Sequence, residues 1–127
     1  MAAPGGRYVY VIDDDKGVLD STAFLLSALG YDCVSFAEAG AFLDAAEALA
    51  PGCVLTDLRM PRIDGFELAG ALRERGIRWP IVMITSEAGG HVDRRAGRLG
   101  FAALLHKPID ADLLADLLTQ AFAAFER

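Results

Sequence analysis

A chain of 127 residues and 13.5 kDa has room for one compact domain with a proper core, and two ordinary domains are excluded. Hydrophobic residues make up 54% and charged residues 24%, which rules out a disordered chain. Twelve Lys plus Arg against eighteen Asp plus Glu leave a formal charge of −6 and a pI near 4.7, a balance that disfavours nonspecific binding to nucleic acid or anionic lipid.

In chain order, Met1 to Gly6 has no apolar stretch of the kind a secretory signal needs and reads as a loose, flexible N-terminal extension; the domain proper is expected over residues 7–127. No run approaches the ~20 apolar residues of a bilayer span, so a cytoplasmic protein is expected. Tyr8 to Ile12 is a β-branched and aromatic run that stops at Asp13, as a buried strand does. Val18, Leu25, Leu26 and Leu29 then recur at helical spacing. Cys33 to Ala37 predicts a second strand, and Phe42, Leu43, Ala46, Leu49 and Ala50 a second helix. Cys53 to Thr56 is a third strand. Asp64 and Glu67 form a capping-box pattern ahead of a third helix through Leu72. Ile81 to Thr85, a short helix marked by Val92, Ala96 and Leu99, and Ala102 to Leu105 follow. Asp110 is placed to cap a last helix carrying Leu113, Leu114, Leu117, Leu118, Ala121, Phe122 and Phe125. Gly30, Gly52, Gly76 and Gly100 stand where a helix gives way to a strand.

Five strands alternating with five helices are the pattern of a doubly wound α/β fold, a parallel sheet covered on both faces. Ligands of such sheets bind beyond the carboxyl ends of the strands. Those ends here deliver Asp13-Asp14-Asp15, Asp57, Thr85-Ser86 and His106-Lys107-Pro108. An Asp before a helix is commonly just an N-cap, which is the plain alternative for Asp14 or Asp15. Asp57 resists that reading, because Leu58-Arg59-Met60-Pro61 does not start a helix. Lys107 is one of two lysines among twelve basic residues, the other being Lys16.

Two or three carboxylates at one point repel one another unless a cation joins them. Mg²⁺ takes one or two carboxylates together with waters and a phosphate, and a carboxylate nucleophile with a lysine and a hydroxyl suits phosphoryl transfer. Asp57 is the expected nucleophile. No glycine-rich nucleotide loop accompanies it, since Gly89-Gly90 lacks the Lys and Ser or Thr that such a loop needs. Cys33 and Cys53 lack metal or redox spacing and read as small core residues, and two histidines, His91 and His106, are too few for a histidine-rich metal site.

Val11-Ile12-Asp13-Asp14-Asp15, Thr56-Asp57-Leu58-Arg59-Met60-Pro61, Asp64-Gly65, Ile84-Thr85-Ser86 and Lys107-Pro108 together resemble the receiver domain of bacterial two-component response regulators, over about residues 7–125. The string from Thr56 to Pro61 is most similar to the FixJ-type branch. The resemblance implies a CheY-like, flavodoxin-like fold with strand order 2-1-3-4-5, acting as a phospho-accepting switch without small-molecule turnover. It further implies that Asp57 takes a phosphoryl group from a sensor histidine kinase or phosphotransfer protein. Asp13, Asp14, Asp57 and the carbonyl of Arg59 would hold Mg²⁺, with Asp13 acting largely through a water. Thr85 and Lys107 would contact the phosphoryl group, with a cis bond between Lys107 and Pro108. FixJ-type members often carry a DNA-binding module after the receiver; nothing in residues 7–127 reads as one.

One departure from the family concerns position 104, where an aromatic residue usually stands and this chain has Leu104. Phe101 is the nearest aromatic substitute. Glu87 and Arg59 flank the expected site and could pair across its entrance. Arg94, Arg95 and Arg98 on the fourth helix and Asp110, Asp112 and Asp116 on the fifth are either solvated faces or the two halves of a symmetric dimer. Two alternatives to the switch remain open at this level: a phosphorylation-independent binding module, and a Mg²⁺-dependent aspartyl phosphatase. The second is disfavoured by Arg59, where such enzymes need a second Asp.

Overall fold

The computed structural model describes residues 7–86, 90–98 and 100–125; of residues 90–93 it describes the backbone alone. Ten elements alternate in the order β1 (Tyr8–Ile12), α1 (Lys16–Ala28), β2 (Asp32–Phe36), α2 (Ala39–Ala46), β3 (Gly52–Asp57), α3 (Gly65–Glu74), β4 (Ile81–Thr85), α4 (Gly90–Arg98), β5 (Ala103–His106) and α5 (Ala111–Phe125). All strand pairs are parallel and the sheet order is β2-β1-β3-β4-β5, so β3 lies at the centre. That is the doubly wound architecture and strand order expected.

Two apolar layers cover the sheet. On one face Val9, Val11, Cys53, Leu55, Val82 and Ile84 meet Leu19 and Leu26 of α1 and Leu114, Leu118 and Phe122 of α5. On the other, Tyr10, Ile12 and Val54 meet Phe42 and Leu43 of α2 and Leu68 and Leu72 of α3. Every residue of β3 is buried, as a central strand covered on both faces requires. A third, smaller cluster of Leu58, Phe66, Met83 and Ala96, with Phe101 and Leu104 against it, fills the space behind the end of β3.

Local signals behave as their chemistry predicts. Asp64 accepts from the Glu67 N–H at 2.8 Å while Glu67 accepts from the Asp64 N–H at 2.9 Å, a complete capping box on α3. Asp110 caps α5 through the Leu113 N–H at 3.0 Å. Gly30, Gly76 and Gly100 hold φ of 92°, 75° and 76°, the left-handed geometry that ends a helix. Gly52 differs: it opens β3 because a Cβ there would lie 2.5 Å from the Tyr8 carbonyl oxygen.

Some expectations move. β2 runs Asp32–Phe36 and β5 Ala103–His106, displaced by one residue from the apolar runs. Both are edge strands, and β2 is exposed at Asp32, Val34 and Ser35, so hydrophobic pattern marks its ends poorly. The buried stripe of α1 is Leu19, Thr22 and Leu26, with Val18, Leu25 and Leu29 only partly covered. A polar Thr on the inner face hides that stripe from hydropathy. α2 stops at Ala46, leaving Leu49 and Ala50 in the connection to β3. Cys53 is buried and Cys33 half-buried, both as free thiols. Met1 to Gly6, Glu87 and Leu99 lie outside the described residues.

Candidate functional site

The carboxyl ends of β1, β3, β4 and β5 come together at one edge of the sheet. Asp13 follows β1 directly and is held by its own backbone, its N–H donating to the Phe36 carbonyl at 3.2 Å. One Asp13 oxygen accepts from the Asp15 N–H at 2.9 Å, which turns the chain into α1. Asp15 then caps that helix by accepting from the Val18 N–H at 3.2 Å. The three consecutive aspartates therefore divide: Asp15 is structural, whereas Asp13 and Asp14 are left for the pocket.

Asp57 ends β3 opposite Ile84, and its neighbour Leu58 donates to the Ile84 carbonyl at 3.0 Å. Thr56 adds a hydroxyl bond to the Asp57 carbonyl at 3.0 Å. The acceptor backbone is thus fixed from both sides. Ligand oxygens of Asp13, Asp14 and Asp57 lie within 4.8 Å of one another. Asp13 and Asp57 are buried and Asp14 is exposed, so the cluster opens to solvent through Asp14.

Lys107 supplies the neighbouring positive charge. Its N–H donates to the Thr85 carbonyl at 2.8 Å, continuing the β4–β5 ladder, and it is joined to Pro108 by a cis bond. Its ammonium sits 3.4 Å from Asp57 Oδ1 and 3.5 Å from Asp13 Oδ2. Thr85 closes β4, one residue past the partner of Asp57, and is 1% exposed. Arg59 lies two residues after Asp57 in the exposed loop leading to α3. Of the residues expected at the site, Asp13, Asp14 and Asp57 are therefore brought within reach of one another, with Lys107 against Asp13 and Asp57. Thr85 and Arg59 stand on the strand end and loop that border them.

The electrostatics follow from this crowding. Burial first, and then the Asp13 carboxylate, push the Asp57 carboxyl above the ordinary carboxylate range; Lys107 and the Leu58 N–H pull the other way without restoring it. Burial pulls the Lys107 ammonium down, yet Asp13 and Asp57 outweigh it and the group ends above its usual value. A buried carboxylate that one lysine does not fully compensate, beside a second buried and a third exposed carboxylate, is a donor set of hard oxygens short of positive charge. It fits a hard divalent cation such as Mg²⁺.

Two contacts were not legible from motif spacing. The Arg95 guanidinium lies 4.2 Å over the ring of Phe66, and Phe101 meets the same ring edge-on at 5.9 Å. Arg95 read as one of a basic run, and only helix orientation could reveal its apolar partner. The expected Glu87 to Arg59 pair falls on a residue outside those described. Leu104 packs, half-buried, against the cluster of Leu58, Phe66, Met83 and Ala96. Among the described residues no helix is long and apolar enough to cross a membrane.

Comparisons with known proteins place the chain by family and fold. The sequence profile of the response regulator receiver domain matches residues 9–119. The transcriptional regulatory protein FixJ of Bradyrhizobium diazoefficiens is 37% identical over 119 residues, 94% of this chain and 58% of that protein. FixJ of Azorhizobium caulinodans is 42% identical over 107 residues, 84% of this chain and 51% of the relative. The chain thus spans about half the length of the curated relatives it matches. Full-length FixJ from B. japonicum superposes with a TM-score of 0.86 at 37% identity, covering 92% of this chain and 58% of that one. The FixJ-N structure superposes with a TM-score of 0.85 at 30% identity, covering 91% of this chain and 92% of that one.

Proposed function

Because the chain belongs to the response regulator receiver domain family, we propose that it works as a phosphorylation switch in which Asp57 is the acceptor and a histidine kinase or phosphotransfer protein the donor. The observation that carries this reading is the meeting of Asp13, Asp14 and Asp57 within 4.8 Å, with Lys107 3.4 Å from Asp57.

In that reaction an Asp57 carboxylate oxygen attacks phosphorus. The P–N bond of the donor phosphohistidine breaks, and the imidazole leaves with the bonding electron pair and takes up a proton. An acyl phosphate remains on Asp57. Most of what the protein contributes is position and charge. The β3 ladder and the Leu58 N–H bond to Ile84 hold the nucleophile at a fixed point. Lys107 moves its pairing from the Asp57 carboxylate to the new phosphoryl oxygens, and the Thr85 hydroxyl donates to another of them. Asp13, Asp14, Asp57 and the Arg59 carbonyl would hold Mg²⁺. When bound, the ion neutralises charge between the acidic pocket and the incoming phosphoryl oxygens.

The domain does not turn over small molecules in this reading; transfer to Asp57 and later hydrolysis are its only chemistry. It acts in the cytoplasm. A homodimer through α4, β5 and α5 is part of the proposal, supported by Arg94 and Arg98 exposed on one helix and Asp112 and Asp116 exposed on the other. The receiver makes no direct contact with nucleic acid.

One experiment separates the readings. Wild type and Asp57→Asn are incubated with Mg²⁺ and acetyl phosphate and compared by intact mass. Gain of one phosphoryl group on the wild type alone supports the switch. Rapid multiple turnover of the donor favours a phosphatase. No modification by either acetyl phosphate or a histidine kinase leaves a binding module, the reading that Leu104 keeps open against the intact Asp13, Asp14, Asp57, Thr85 and Lys107 set.

A further inference from the structure

Among the described side chains of the helix α4, few reach the rest of the domain. Of its side chains at positions 94–98, Arg94, Arg95 and Arg98 are exposed, Gly97 offers nothing, and Ala96 alone is buried. Among the described residues, a pair of contacts to one ring joins that methyl in anchoring it. Arg95 covers the face of Phe66 at 4.2 Å, and Phe101 meets its edge at 5.9 Å with an interplanar angle of 89°. Phe101 belongs to α4 by its backbone. Its N–H returns to the Ala96 carbonyl at 3.1 Å and the Gly100 N–H to the Gly97 carbonyl at 3.2 Å, with Gly100 at φ 76°. These are the two bonds of a Schellman cap, and Phe101 packs against the same cluster as Ala96, the contact that motif favours.

The other end of this contact reaches the acceptor. Phe66 follows Gly65, whose N–H donates to the Leu58 carbonyl at 2.8 Å. Gly65 is so close to the end of β3 that a Cβ there would lie 2.9 Å from the Asp57 carbonyl oxygen and 3.2 Å from Leu58 Cα. A shift of the Asp57–Leu58 backbone therefore has no slack to absorb it before the first turn of α3, where Phe66 sits.

We propose that Phe66 couples the Asp57 pocket to α4 through the Arg95–Phe66–Phe101 clasp. The aromatic function that Leu104 cannot supply is carried here by a ring on α3, gripped by α4 and its cap. The clasp is a positioning device: none of its three residues touches the reacting atoms. The proposal rests on Asp57 being the phosphoryl acceptor. Its physical content is a packed, continuous path from the end of β3 to α4, and only a coupling measurement demonstrates such a path.

The test uses wild type, Arg95→Gln and Phe66→Leu, each free and saturated with Mg²⁺ and beryllofluoride, a stable phosphoryl mimic. Binding stoichiometry comes from ¹⁹F NMR and backbone exchange in α4 from hydrogen–deuterium mass spectrometry. All three proteins are expected to bind the mimic, because the clasp lies outside the pocket. Free Arg95→Gln should exchange its α4 amides roughly two- to fivefold faster than wild type, the loss of an exposed cation–π contact. The decisive quantity is the bound-to-free ratio of α4 exchange, which should fall to less than half the wild-type response in both variants. Variants that bind the mimic and keep the wild-type ratio overturn the coupling, even if free exchange rises, since that pattern marks a contact that merely holds the helix. Arg95 is on the surface, so its variant keeps the test valid should Phe66→Leu fail to fold. Failure of wild type itself to bind the mimic overturns the acceptor reading, and the clasp proposal falls with it.

Discussion

Gly65 and Asp57 are packed backbone to backbone: a methyl group at position 65 would stand 2.9 Å from the Asp57 carbonyl oxygen, and its own N–H already holds Leu58 at 2.8 Å. Both crowding atoms named at Asp57 and Leu58 are main chain, so neither can swing aside. Gly65→Ala should destabilise the domain by about 1–3 kcal/mol, the usual cost of overpacking a close-packed site. It should also slow phosphoryl uptake by displacing the acceptor. Urea unfolding and intact-mass time courses check the two effects separately, and Gly70→Ala, where a Cβ meets nothing within 4 Å, is the control.

Asp57 is a cost to the metal-free protein. Its native carboxyl titrates above the unfolded value because of burial and Asp13. A raised native value favours folding at pH below the unfolded value, and that advantage is lost as pH rises through the native one. Asp57→Asn should therefore raise the Tm of metal-free protein at pH 7, by roughly a few degrees, while abolishing phosphoryl uptake. The difference in Tm should shrink as pH is lowered toward the ordinary carboxylate value of 3.8. An equal Tm at pH 7 would show that Lys107 fully compensates the charge.

Mg²⁺ should stabilise the wild type by mass action, about 2.7 kcal/mol at a hundredfold excess over its dissociation constant. The effect should weaken on acidification, since protons compete for the same carboxylates. Differential scanning fluorimetry across Mg²⁺ concentration, with Asp14→Asn and Asp57→Asn alongside, measures it. Asp14 is exposed, so its substitution should remove the metal response with little effect on the metal-free Tm.

Lys107 carries the opposite sign. Burial opposes its charge but Asp13 and Asp57 raise its native value above 10.5. The stabilisation it provides is fully present below 10.5 and is lost as pH rises through the native value. Lys107→Met should cost about 1–2 kcal/mol at pH 7 by leaving two buried carboxylates uncompensated, and Mg²⁺ should recover part of that loss. Urea unfolding at pH 7 with and without Mg²⁺ makes the comparison.

The thiols offer a test of packing that is independent of the site. Burial pushes the Cys53 thiol up to about 12, and burial raises Cys33 as well, less a contribution from Ser35. Cys53 should resist alkylation at neutral pH until the protein unfolds, whereas half-buried Cys33 should react roughly tenfold or more faster. Peptide mapping after iodoacetamide distinguishes the two.

Much of this molecule was legible before any coordinates. The buried strands β1, β3 and β4 announce themselves because both faces must be apolar, and the acidic and basic residues at their ends follow from where parallel strands stop. Capping at Asp64 and Asp110 was readable because the chemistry is local. The boundaries of β2 and β5 were not, because edge strands are half solvated and their pattern is weak. The α1 stripe is masked in hydropathy by Thr22, a polar residue on an inner face. Arg95 over Phe66 was invisible for a different reason. It depends on how α4 is rotated about its axis, which no spacing in GHVDRRAGR specifies.

The burial of β3 along its whole length has a further consequence. With Asp57 at the end of a strand clamped between β1 and β4, the proposed acceptor has almost no latitude, and any change it provokes would have to be expressed at the margins of the molecule. Chemistry and readout are thereby separable targets for variation. If Asp57 receives the phosphoryl group and α4 passes the change on, as proposed, substitutions along α4 should retune output while leaving receipt untouched, so such sequences would have room to diverge in output before losing the capacity to be switched.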